Sequence, residues 1–98
     1  MNTTSQMTYE ELMDLARRFE GKELETVTGK KFTVGVSTAE HCPHFTPASS
    51  GYSQTDGRKA ADRFLASYNE IGSLRPSDYS QITRNASYYV GLLAKRDQ

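Results

Sequence analysis

The hydrophobic period of this chain changes twice, and that change limits the possible folds more than any other feature. Leu12, Leu15, Ala16 and Phe19 recur every three to four residues, which makes one apolar face of a helix. Phe32, Val34 and Val36 then recur every second residue, which makes one face of a strand. The helical period returns with Ala61, Phe64, Leu65 and Tyr68, and again from Tyr79 through Ile82, Ala86, Tyr89, Val90 and Leu93. Neither an all-helical nor an all-strand fold satisfies both periods. An α+β domain does, with helices laid on an antiparallel sheet.

The punctuation between these segments sets their bounds. Thr8 and Glu11 have the spacing of a capping box, and Met7 and Leu12 that of a hydrophobic staple, so a helix starts after Thr8. Gly21 ends it. Leu24, Thr26 and Thr28 alternate with Glu25 and Val27, and after Gly29 and Lys30 the second strand runs to Val36, which predicts a hairpin. A short third strand is expected at His44-Phe45-Thr46, stopped by Pro47, and an exposed loop from Pro47 to Gly57. Asp56 is a candidate cap for a helix over about Arg58 to Glu70. Thr83 and Asn85 are weak in a helix interior. The last period therefore reads as a short helical turn near 77–82, begun at Pro76, then a helix from Ala86 capped by Asn85. Lys95 and Arg96 suit its C-terminal end. The expected fold is a small three-stranded antiparallel sheet covered by helices, in the order α-β-β-β-α-α. It forms a single domain over 1–98, with 1–7 as a flexible tail.

Composition narrows the functional classes. Leu, Ile, Val and Phe number only 17 of 98 residues, so the core is small. No segment holds the roughly 20 apolar residues needed to span a bilayer, and Met1 to Met7 lacks the basic and apolar regions of a signal peptide. With a single cysteine, Cys42, these features lead to an expected cytoplasmic location and no membrane partner. Formal net charge is zero, which argues against a non-specific nucleic-acid binder driven by charge alone. The charge is uneven, however. Residues 1–25 carry a balance of −3 and residues 26–98 a balance of +3.

Three groups of residues are candidates for chemistry. His41, Cys42 and His44, with Glu40 beside them, place imidazoles, a thiol and a carboxylate within five residues. Zinc wants such ligands, but adjacent His41 and Cys42 cannot both bind one ion easily and no second pair exists in the chain. A Cys–His nucleophile would further need an orienting group and an oxyanion hole that the sequence does not display. No cofactor or metal is therefore expected, and the balance is against an enzyme. The second group is basic: Lys30, Lys31, Arg58, Lys59, Arg63, Arg75 and Arg84. On one face, with Tyr52 and Tyr79 for stacking, they would bind nucleic acid. Helix-strand-strand-strand-helix is also the element order of double-stranded-RNA-binding domains, in which basic residues open the second helix. Arg58-Lys59-Ala60-Ala61 stands at that place here, although the loop differs and the last helix is extra. The Gly57-Arg58-Lys59 helix start also suits an anion, without a Walker pattern. The third group is Tyr88 and Leu92, a second apolar stripe beside Tyr89, Val90 and Leu93. A helix apolar on two sides is buried on two sides, so this stripe is a candidate homodimer contact.

The segments Gly72-Ser73-Leu74-Arg75-Pro76-Ser77-Asp78-Tyr79 and Thr83-Arg84-Asn85-Ala86-Ser87-Tyr88-Tyr89 resemble a stretch in short uncharacterised bacterial proteins, some of them carried on mobile elements such as integron gene cassettes. The resemblance covers the C-terminal third. It implies a bacterial, stand-alone, cytoplasmic protein and supplies no catalytic residues. Taken together, the sequence leads to a non-catalytic binding or interaction module, dimeric through its last helix, with nucleic-acid binding as the alternative and a metal or Cys/His site at 41–44 as the third reading.

Overall fold

The computed structural model describes residues 7–39, 41–54, 57–83 and 85–95. The order is α1 (Tyr9–Arg18), β1 (Glu23–Glu25), β2 (Lys31–Ser37), β3 (Cys42–Pro47), α2 (Gly57–Ile71), a 3-10 turn (Pro76–Tyr79) and α3 (Ala86–Leu93). This is the expected α+β arrangement, with the last helical period split at Thr83 as its composition implied. The expected caps at Asp56 and the charge of Arg96 lie outside the described residues, as do Glu40 and Arg84.

The capping box forms as its spacing requires. The Glu11 amide donates to Thr8 Oγ1 and the Thr8 amide donates to Glu11 Oε1, at 3.1 and 2.8 Å. The staple residues Met7 and Leu12 both join the core. Met7 therefore corrects the expectation of a tail that runs to residue 7. It is buried, and Asn69 of α2 clamps it by accepting from its amide and donating to its carbonyl, at 2.6 and 2.8 Å. Gly21 takes a φ of +80 and its amide donates to the Val34 carbonyl at 3.0 Å, which ties the end of α1 to β2.

The sheet has the order β1-β2-β3, antiparallel throughout. Register places Leu24 opposite Phe32, Val34 opposite Phe45 and Val36 opposite Pro43, so the apolar residues share one face. Two expectations about its length are corrected. β1 stops at Glu25, because the Thr26 amide and hydroxyl already serve Lys30 in the turn. β3 begins earlier, at Cys42, since Pro43 needs no donor where it sits opposite Val36.

The outer edge of β3 is closed by its own sequence. Phe45 and Gln54 exchange two backbone hydrogen bonds, at 2.8 and 2.6 Å, so Phe45 points its amide away from β2. Pro43 and Pro47, two residues to either side, share that direction by strand period and have no N–H to offer. The edge thus lacks the row of free donors that strand addition requires. Gln54, within the loop expected from Pro47 to Gly57, is part of this closure, and Ser53 beside it shares a hydroxyl contact with Thr46 at 2.9 Å.

One hydrophobic cluster joins all the elements. At its centre Tyr89 stacks on Phe64 and meets Phe45 edge-on, with ring centroids 4.6 and 4.9 Å apart, and Phe64 also meets Tyr79. Such pairs contribute roughly 0.5–1.5 kcal/mol each beyond burial. Burial pushes the Tyr79 pKa up, and its hydroxyl is held by the Ser73 carbonyl at 2.7 Å. α3 packs against the 3-10 turn, β1 and α1. Its seat is set by Gly91, where a Cβ would stand 2.9 Å from the Glu25 carbonyl oxygen and 3.0 Å from the Phe32 ring. The side-chain cap expected of Asn85 on α3 is not formed. The Thr83 hydroxyl accepts from the Asn85 amide at 3.0 Å, and the Asn85 carbonyl accepts from the amides of Tyr88 and Tyr89. Among the described residues, no helix is long and apolar enough to cross a membrane.

Candidate functional site

The ladder of β2 and β3 has two ends, and each gathers part of the candidate chemistry. At the Ser37–Cys42 end, His41 follows the turn with a φ of +54, a left-handed backbone uncommon for a residue with a side chain. Its carbonyl accepts from the Tyr9 hydroxyl at 2.7 Å, and its Nε2 lies 3.6 Å from Glu10 Oε2. The Arg58 guanidinium sits 4.8 Å from the centre of the Tyr9 ring and 3.9 Å from Asp62. Burial, then the charges of Cys42 and the nearby carboxylates, push the Tyr9 pKa up to about 12, against the opposing pull of Arg58. These contacts link α1 to the start of β3 and the first turn of α2.

The expected cluster at residues 41–44 does not assemble as a ligand set. Cys42 is fully buried, which denies a thiolate the access a nucleophile needs. His41 turns toward Glu10, whereas His44 lies over Gly35, with ring atoms 2.6 and 2.8 Å from where a Gly35 Cβ would be. Its Nδ1 is buried with no hydrogen-bond partner. Among the described residues, no group of three or more His, Cys, Asp or Glu is placed to hold a metal ion.

The basic residues fall into separate places. Arg58 and Lys59 open α2, and Arg63 lies further along it. Arg75 follows the C-terminal end of α2, and pairs with Asp78 at 3.7 Å. Lys30 and Lys31 lie at the β1–β2 turn, and Lys31 pairs with Glu23 at 3.6 Å. Arg84 is outside the described residues. Of the described members of the set, Arg58, Lys31 and Arg75 each have a carboxylate partner, at 3.9, 3.6 and 3.7 Å.

The proposed pair at α3 separates as well. Leu92 has no exposed surface and belongs to the core. The second apolar stripe is real, but it is covered by the chain's own sheet and helices, so Leu92 cannot serve as a contact between folded copies. Tyr88 differs. It is half-buried, with its ring against Phe32 and Phe45 at 5.1 and 5.8 Å.

Tyr88 lies toward the other end of the ladder, with Pro47. Beyond the Phe32–Pro47 pair, the Ala48 amide still donates to the Lys31 carbonyl at 2.9 Å, and then the chains part. A hollow of roughly 370 Å³ opens there, lined by Lys30, Lys31, Pro47, Ala48, Ser49 and Tyr88. Three segments remote in sequence meet in it. The sequence singles out both lysines and Tyr88, but the lysines as part of the basic group and Tyr88 as part of the α3 stripe. Pro47, Ala48 and Ser49 carried no signal, because a Ser-rich loop looks alike whether or not it lines a cavity. No protein-family model matches the chain, and neither does any curated protein or solved structure.

Proposed function

We propose that this protein is a non-catalytic binding module whose recognition surface is the hollow at Lys30, Lys31 and Tyr88. The observation that supports it is that Lys30, Lys31, Ser49 and Tyr88 line one concavity together with Pro47 and Ala48, within the size range of ligand pockets, roughly 300–1,000 Å³. The opposite end of the ladder supports no catalytic reading, since its cysteine is buried and Tyr9, His41 and Arg58 are engaged with one another and with Glu10 and Asp62. Assembly through α3 loses its support with the burial of Leu92. A bacterial, cytoplasmic setting goes with this proposal, on the resemblance of the C-terminal third.

The test is a library of small fragments screened by two-dimensional NMR. A binding module of this kind gives hits whose shift changes converge on Ala48, Ser49 and Tyr88. Hits that converge on the Tyr9–His41 corner, or that scatter over the surface, overturn the assignment. Duplex DNA or RNA is the competing partner. Binding to either that weakens steeply with salt would move the reading to the nucleic-acid class.

A further inference from the structure

The hollow has a chemical polarity of its own, and it comes from the strand period. Lys31 and its cross-strand neighbour Glu25 lie on one side of the sheet, with Glu23 two residues along, 3.6 Å from the Lys31 ammonium. That cation is already compensated. Lys30 has the parity of Phe32 and sits opposite Thr26, since the Thr26 amide donates to its carbonyl at 2.8 Å. It therefore shares the side of the sheet on which Tyr88 lies against Phe32. Among the described residues Lys30 forms no ion pair, and its amide is tied to Thr26 Oγ1 at 3.1 Å, which holds the backbone of the turn. Ser49 and Tyr88 add hydroxyls that both donate and accept. Pro47, Ala48 and the Tyr88 ring supply the apolar part of the wall.

From this arrangement we infer that the hollow binds a small organic anion, a carboxylate or phosphate head on an apolar body. The head sits at Lys30 with the hydroxyls of Ser49 and Tyr88, and the body lies against Pro47, Ala48 and the Tyr88 ring. The geometry distinguishes the two lysines: Lys30 carries the recognition, and Lys31 serves chiefly the pair with Glu23. A ring carrying a phenol is a good wall for such a ligand, being amphipathic and held by the core through its apolar edge.

The inference rests on the hollow being the recognition surface, and the probes separate the two. Benzoate, phenyl phosphate, benzamide, benzylammonium and inorganic phosphate are titrated into the whole protein, followed by NMR. Benzoate and phenyl phosphate should both shift Ser49 and Tyr88, and whichever binds tighter names the head group. Benzamide and benzylammonium should bind at least tenfold more weakly, and inorganic phosphate likewise, for lack of an apolar body. Lys30→Ala should weaken benzoate about tenfold or more, and Lys31→Ala less than threefold. Tyr88→Phe should keep the apolar contact and lose part of the affinity. Equal binding of benzamide or benzylammonium in the hollow overturns the anion inference while the hollow remains the surface. Equal effects of the two lysine variants overturn the role given to Lys30. Benzoate binding elsewhere on the molecule, or no binding by either anion, overturns the inference, and fragment hits at the hollow then decide separately whether the surface survives.

Discussion

The two ends of the β2–β3 ladder hold similar side chains and use them differently. Each has a tyrosine, basic residues and a carboxylate nearby. At the Cys42 end the tyrosine hydroxyl is spent on the His41 carbonyl, the arginine lies on the tyrosine ring, and the histidine faces Glu10. At the Pro47 end Lys30 forms no ion pair among the described residues and the Tyr88 ring walls a hollow. The end richer in chemistry along the sequence is the one consumed in joining α1, β3 and α2. Functional groups announce a site only when folding leaves them uncommitted. A dense cluster of His, Cys and Glu in sequence is as apt to be a structural corner.

This contrast can be broken most decisively at the seat of α3. Gly91→Ala adds a Cβ against the Glu25 carbonyl, a backbone atom that cannot rotate away. Overpacking of this kind costs about 1–3 kcal/mol, and helix propensity would return at most about 1 kcal/mol. We expect a lower urea midpoint and a disturbed Tyr88 environment. A neutral Gly91→Ala would mean that α3 sits loosely and that the hollow is not preformed. Gly35→Ala is the control, expected to cost less, because there the obstacle is the far end of the His44 side chain.

At the closed end, Tyr9→Phe should cost about 1 kcal/mol, the usual net value of one hydrogen bond, read from urea denaturation. It also carries a pH signature. The folded Tyr9 pKa of about 12 lies above the ordinary 10, so its stabilisation is complete below pH 10 and is lost as pH rises from there toward 12. Thermal melts of the wild type should therefore fall more steeply than those of Tyr9→Phe in that alkaline window. Parallel curves would show that Tyr9 is not committed to the corner.

His41→Gly is a smaller and more pointed test. Glycine relieves the positive φ of 54, while the lost contact to Glu10 is exposed and weak. The variant should match or slightly exceed wild-type stability in denaturant melts. A marked loss would give the imidazole a role that its contacts do not explain. The smallest stability effect belongs to the open end. Lys30→Ala combined with Lys31→Ala should change stability by less than about 0.5 kcal/mol, as at most surface sites, in the same melts that register the loss at Tyr9.

The elements themselves were legible because local rules agreed with one another. The capping box at Thr8 and Glu11, the alternation from Phe32 to Val36, and the break at Thr83 each needed only neighbours in sequence. The errors came where a partner from elsewhere in the chain intervened. Met7 reads locally both as a staple residue and as the end of a tail, and Asn69, from the far side of the sequence, holds its backbone. Leu92 looked like surface because periodicity shows that a stripe is covered without showing by what. The basic residues looked like one set because charge can be counted along a chain, whereas α2 carries Arg58 and Arg75 to opposite ends.

The sequence by itself determined which segments became helix or strand, the order α-β-β-β-α-α, and the apolar face that each presents. Those properties follow from backbone geometry and from side-chain period, which act over a few residues. The closure of the β3 edge draws on both levels, since Pro43 and Pro47 have no N–H in any fold, whereas the register that aims them outward and the bridge from Gln54 come from the tertiary structure. Only the tertiary structure decided which polar groups were left over. Whether Tyr9, His41, Lys30 and Tyr88 are committed or available depends on what packs beside them, and those neighbours are 30 to 60 residues away along the chain for the Tyr9–His41 and Lys30–Tyr88 pairs. No local rule reaches that far.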